Sequence, residues 1–131
     1  MNKIFKYTLL KYRPSSVLDE QVNIGILFIF SEDNKVFFSY PEHLARLSAL
    51  FPGVDLNDVK HYLSAIQLKA NKLSNKDLAT KTKTDNFIEN EFFVADANSF
   101  FFSDFKIGVY ETEAIEKMVT HFTNQYFVNY A

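Results

Sequence analysis

Apolar side chains recur at the spacing of β-strands in three stretches of the first forty residues. In residues 3–12, apolar and polar side chains alternate loosely, and many are aromatic or β-branched. This pattern is typical of a strand partly covered on both faces. Residues 21–30 give the strongest pattern. Its period of two predicts one shared face for Val22, Ile24, Ile26, Phe28 and Phe30. A polar turn at 31–34 leads into a third strand at 35–40. We therefore predict that the second and third strands form a hairpin.

Helical spacing replaces this alternation after residue 40. Pro41 suits the first position of a short helix that ends before Gly53. Asp55 is predicted to cap a second helix, which runs to about residue 73. Residues 74–84 are polar, lysine-rich and without periodicity, and predict a mobile connection. The pattern of residues 85–98 fits a helix or a strand equally.

The last third predicts a strand and a closing helix. Residues 99–110 suggest a late strand with a bend at Asp104. Thr112 is predicted to cap a final amphipathic helix. Its buried stripe is formed by Ile115, Met118, Val119, Phe122 and Tyr126.

This order of elements predicts one α+β domain over residues 1–131. An antiparallel sheet of about four strands comprises the N-terminal strand, the hairpin and the late strand, with helices packed against it. Fifteen phenylalanines raise the aromatic share to 17% and predict a phenylalanine-rich core.

Composition narrows the function classes. Without cysteine, thiolate chemistry, thiolate zinc sites and disulfides are excluded. The opening residues do not have the pattern of a signal peptide, and no apolar run is long enough for a membrane helix, so we expect a cytoplasmic protein with no membrane partner. The motifs of common enzyme classes are missing, and His43, His61 and His121 lack metal-ligand spacing. We therefore predict neither a metal nor a cofactor.

Two charged stretches suggest alternative functions. A basic stretch offers phosphate contacts through Lys69, Lys72, Lys76, Lys81 and Lys83, although a solvated surface is the favoured interpretation over nucleic-acid binding. A group of acids near Lys106 would suit a nuclease or nucleotide-processing enzyme of a defence system. These acids are Glu89, Glu91, Asp96 and Asp104, with Glu20 as a further candidate.

A polar group opens the second strand. Glu20, Gln21 and Asn23 precede an otherwise apolar run, and a covered Asn23 requires defined hydrogen-bond partners. A structural bond to the loop at 13–18 is favoured over a binding site. Gly25 inside the strand indicates either a tight corner or the close approach of a ligand.

These N-terminal segments carry a resemblance. The pattern Tyr7-x-x-Leu-x-Tyr12-x-Pro14, followed by Glu20-x-Val-Asn23-Ile-Gly25, resembles a bacterial family known as domain of unknown function 3037. The resemblance highlights Tyr7, Tyr12, Pro14, Glu20, Asn23, Ile24 and Gly25. Many family members have Arg-Tyr-x-Pro where this chain has Lys11 before Tyr12, so a role for that basic residue would fall to Lys11.

The resemblance also implies a partner. Members are often encoded beside proteins similar to the HipA kinases of toxin and antitoxin systems. We therefore expect a non-catalytic interaction module that binds a protein partner, such as a HipA-like kinase, through the Glu20 to Gly25 end of the sheet or an exposed aromatic patch.

Overall fold

A computed structural model describes residues 3–14, 20–73 and 99–127. In these residues the elements are β1 (Lys3–Tyr12), β2 (Val22–Phe30), β3 (Lys35–Ser39), α1 (Ala45–Leu50), α2 (Leu56–Leu73), β4 (Phe100–Phe102), β5 (Lys106–Tyr110) and α3 (Ile115–Tyr126). The strands form one antiparallel sheet with helices packed against it, which confirms the predicted α+β fold. The predictions for residues 74–84 and 85–98 lie outside the described residues. No described helix is long and apolar enough to cross a membrane.

β1 lies in the middle of the sheet. One of its edges pairs with β2, which in turn pairs with β3. Its other edge is shared by two short strands, with β5 along Lys3 to Tyr7 and β4 along Leu10 to Tyr12. The predicted late strand is therefore real but interrupted.

Ser103 joins the two short strands to β1. Its amide donates to the Leu9 carbonyl at 2.8 Å, and its Oγ accepts from the Leu9 amide at 3.0 Å. The Thr8 hydroxyl donates to the Ser103 carbonyl at 2.5 Å, which satisfies a fully buried side chain. The Ser103 side chain takes the place of one backbone acceptor between β4 and β5. The segment from β4 to β5 can therefore bend at Ser103 while Leu9 of β1 keeps both of its backbone hydrogen bonds.

Each face of the sheet has its own core. On one face, Leu10, Leu27 and Phe38 pack with the buried side of α1 and α2. On the other face, aromatic side chains pack against α3, whose stripe includes Ile115 and Phe122 as predicted. The Phe5 ring is central to this second core, with ring centroids 5.2 Å from Phe30 and 5.8 Å from Phe122. The phenylalanine-rich core is thereby confirmed.

A β-bulge divides β2 between the two cores. Leu10 pairs with Gly25 and Lys11 with Asn23, so Ile24 is an extra residue in the ladder. The prediction that the five apolar residues of β2 share one face is therefore wrong. Val22 and Ile24 contribute to the α2 side, whereas Ile26, Phe28 and Phe30 face α3.

Helix starts also differ from the predictions. Asp55 caps α2 as predicted, with its carboxylate accepting from the amides of Asn57 and Asp58. The first helix starts at Ala45, and Pro41 is buried ahead of it. Thr112 begins a short 3-10 turn and makes no cap for α3. Its hydroxyl instead contacts Asp33, because a stronger charged acceptor lies beside it.

Asp33 fastens the hairpin turn to three other parts of the fold. Its carboxylate accepts hydrogen bonds from Tyr110 at 2.5 Å and from Lys3 at 3.1 Å, in addition to that from Thr112. The Tyr110 hydroxyl is the main cause that holds the pKa of Asp33 below its usual value, while burial raises the pKa of Tyr110. This contact joins the ends of β1 and β5 to the turn after β2.

Gly25 marks the bulge, and we predict that even a methyl group there destabilises the fold. An added Cβ would lie 2.5 Å from Cζ of the buried Phe38 ring. We expect Gly25→Ala to lower the free energy of unfolding by about 1–3 kcal/mol in urea denaturation. Gly53→Ala is the matched control, since an added Cβ there meets no atom within 4 Å.

A double-mutant cycle identifies the cause. Phe38→Leu removes the ring atoms that the new methyl would strike, so Gly25→Ala should cost less in that background. An equal cost in both backgrounds would show that Phe38 is not what requires a glycine at this position.

Candidate functional site

Polar side chains gather on the α3 face of the sheet, around the second half of β1. Strand alternation places Lys11 on the same face as Tyr7, and their direct neighbours on the adjoining strands are Asn23 and Lys106. We call this group of four residues the lysine site. Lys11 and Asn23 are half-buried, whereas Lys106 is exposed.

Lys11 is held by Asn23 and influenced by Lys106. Its Nζ donates to Oδ1 of Asn23 at 2.9 Å. Burial lowers the pKa of Lys11, and the positive charge of Lys106 lowers it further. Among the described residues no acid forms an ion pair with Lys11 or shifts its pKa, and the hydrogen bond from Nζ is accepted by a neutral amide.

Such an arrangement suits an anion. The half-buried ammonium of Lys11 is repelled by the exposed ammonium of Lys106, and a bound carboxylate or phosphate would relieve that repulsion. Asn23 fixes the direction of the Lys11 side chain before a ligand arrives, which reduces the entropy lost on binding.

A small pocket adjoins the lysine site. Its volume is about 260 Å³, and it is lined by Tyr7, Phe122, Gln125 and Tyr126. The Tyr7 and Phe122 rings meet edge to face with centroids 5.2 Å apart. Burial raises the pKa of Tyr7, as does a hydrogen bond with Tyr126, while the charge of Lys106 acts in the opposite direction. The described lining consists of aromatic and amide side chains, so the pocket can accept one apolar or aromatic side chain.

A third cation lies near the lysine site. The Arg13 guanidinium carbon is 4.8 Å from the centroid of the Phe101 ring, and Phe101 is the β4 neighbour of Lys11. The Arg13 amide donates to the Ser99 carbonyl at 2.7 Å, which fixes the backbone at this end of β1.

The structure separates the residues highlighted by the resemblance. Tyr7 and Asn23 belong to the lysine site. Tyr12 is instead buried on the α2 side, where its ring packs 5.5 Å from Phe51 and 5.2 Å from Phe100. Gly25 lies at the bulge against Phe38, so it is a tight corner of the core. Pro14 and Glu20 are exposed at the two ends of the connection between β1 and β2.

The other candidate residues do not converge in the described part of the chain. Lys69 and Lys72 lie on α2, whereas Lys76, Lys81 and Lys83 lie outside the described residues. Glu89, Glu91 and Asp96 also lie outside them, and Asp104 is exposed. The three histidines are exposed on separate segments. Residues 3–14, 20–73 and 99–127 contain no group of three histidine or acidic side chains placed to hold a metal.

Comparison with known families identifies the family of this chain. A family model described as "Protein of unknown function (DUF3037)" matches residues 7–126. The chain belongs to the DUF3037 family. This match confirms the predicted family. Neither curated proteins nor solved structures gave a match.

Part of the lysine site of this DUF3037 chain was predictable from its sequence. Asn23 and Tyr7 were singled out by the family pattern, and the same pattern drew attention to Lys11. The pairing of Lys106 with Tyr7 was not predicted, because it depends on the register between β5 and β1. Lys106 had appeared only as a neighbour of candidate nuclease acids.

We predict that Lys106→Gln raises the pKa of Lys11. Removing the nearby positive charge makes protonation of Lys11 less costly, whereas its burial is unchanged. The measurement is an NMR pH titration that follows the Cε and Hε shifts of Lys11. Lys6→Gln is the matched control, since Lys6 lies on the same strand but faces away from the site. A Lys11 pKa that is the same in the wild type and in Lys106→Gln would contradict the proximity of the two charges.

Proposed function

We propose that this chain is a non-catalytic interaction module that binds an acidic segment of a partner protein at the lysine site. The observation that carries the proposal is the half-buried Lys11, which has no acidic partner among the described residues, is held by Asn23 and lies near Lys106. An anionic side chain of the partner would pair with the two ammonium groups, and the half-buried setting strengthens that attraction relative to bulk water.

The adjoining pocket supports a protein ligand. A side chain that enters this pocket would add apolar contact with Tyr7 and Phe122 beside the ion pairs, and such a combination is common in interface hot spots. The partner segment would therefore combine an acidic residue with a nearby apolar or aromatic one.

Net charge favours a short acidic segment over a nucleic acid. The chain carries a net charge of −2, so a long polyanion would be repelled beyond the few cations of the lysine site. The alternatives of nucleic-acid binding through α2 and of a nuclease remain predictions, and no contact among the described residues supports them.

The family pattern indicates which partner to try first. The family resemblance implies that members are often encoded beside HipA-like kinases. We therefore propose that the protein is cytoplasmic and is the partner of such a kinase in a toxin-antitoxin or defence system. Binding rather than catalysis is the role we assign to Lys11 and Lys106.

We predict that the double variant Lys11→Gln with Lys106→Gln binds the kinase at least about tenfold more weakly, because it loses both ion pairs. The measurement is isothermal titration calorimetry with a purified HipA-like kinase. Lys35→Gln with Lys72→Gln is the matched control, since it removes the same charge from exposed positions on β3 and α2. It should change the dissociation constant by less than about twofold.

Three results would contradict the proposal. They are no complex at micromolar concentration, equal weakening by both double variants, and binding that is insensitive to salt. Parallel incubations with RNA, DNA and nucleotides, with and without Mg²⁺, test the two alternatives of an enzyme and a nucleic-acid-binding domain. Turnover there would favour an enzyme, and RNA or DNA binding weakened mainly by Lys72→Gln would favour a nucleic-acid-binding domain.

A further inference from the structure

An apolar stripe lies exposed on the α2 side of the sheet, at the edge formed by β5. Ile4, Ile107 and Val109 are 58%, 67% and 54% exposed. Ile4 pairs directly with Val109, and Ile107 pairs with Lys6, so the three apolar side chains are neighbours on adjacent strands. α2 packs against β3 at the opposite side of the sheet, and no described helix or strand other than β1 has extensive contact with β5.

β5 is also an edge strand. Among the described residues it pairs with β1 alone, so its outer backbone groups face no strand. Edge strands that avoid association usually carry proline, several charges or a bulge. β5 has only Lys106 as a charge, and its side chain is on the other face.

We propose that the β5 edge joins two copies of this chain into a symmetric dimer. Antiparallel pairing about Gly108 would set Ile107 of one copy directly opposite Val109 of the other. Both side chains lie on the exposed face, so the two stripes would become one apolar surface shared across the twofold axis. The two sheets would then continue into each other.

The distribution of charge favours the antiparallel arrangement. Lys6 lies beside Ile107 at one end of the stripe, and the exposed Glu111 follows β5 at the other end. A twofold axis through Gly108 brings the basic end of each copy toward the acidic end of its partner. Parallel pairing would instead place like charges together.

The stripe is narrow, and this bounds the affinity. Three apolar side chains and one row of backbone hydrogen bonds cover less than the roughly 800 Å² per partner of a standard interface. We therefore expect a dissociation constant in the micromolar range. The lysine site lies on the opposite face of the sheet, so dimerisation and partner binding can be tested separately.

Sedimentation velocity of the full chain tests the dimer. We expect a concentration-dependent shift from the monomer mass of 15.2 kDa toward twice that value up to about 100 μM. Ile107→Lys should weaken association at least about tenfold, because it removes both apolar cross-strand pairs at the axis and brings two added positive charges close together. Leu68→Lys is the matched control, because Leu68 is 62% exposed on α2, away from the edge. A monomer throughout this range, or equal weakening by both variants, overturns the proposal.

Cysteine cross-linking tests the register. The natural chain has no cysteine, so single substitutions report cleanly. A mixture of Ile107→Cys and Val109→Cys chains should form a disulfide dimer on mild oxidation, because these positions face each other across the axis. Either variant alone should cross-link far less. Equal cross-linking in all three samples, or none in the mixture, overturns antiparallel pairing about Gly108.

Discussion

β1 exchanges backbone hydrogen bonds along both of its edges, which positions β2, β4 and β5 directly, and β3 follows by pairing with β2. Buried apolar side chains of β1 point to both faces of the sheet, so each face needs a covering element at those positions. The α1 and α2 helices cover one face and α3 covers part of the other. Ser103 makes this possible, because it lets one returning segment pair with both halves of β1.

The same constraint accounts for the candidate site. α3 packs over the aromatic first half of β1, around Phe5, and the second half continues to Lys11. There the bulge at Ile24 changes which β2 residues face α3, so that Asn23 lies beside Lys11. Register and contacts thus explain the polar start of β2. The charge of Lys11, which has no acidic partner among the described residues, is the feature that could attract a ligand.

The sequence predicted the fold well because its periodicities are strong and local. Strand alternation, the Asp55 cap and the stripe of α3 follow from nearest neighbours along the chain. The bulge could not be read in the same way, because Ile24 and Ile26 look equivalent until the partner strand sets the register. Thr112 failed as a cap because its hydroxyl bonds to Asp33, 79 residues away in the chain. Lys106 belongs to the lysine site because β5 pairs with β1, and these two strands are also far apart in the sequence.

The most direct test of the lysine site is an NMR titration of the wild-type chain with a short peptide of glutamates around one phenylalanine. The account predicts saturable shift changes in the side chains of Lys11 and Lys106 and in the amides of Asn23 and Tyr126, and no comparable change at Lys72. Changes that increase without saturation, or that spread over all exposed lysines, would contradict it.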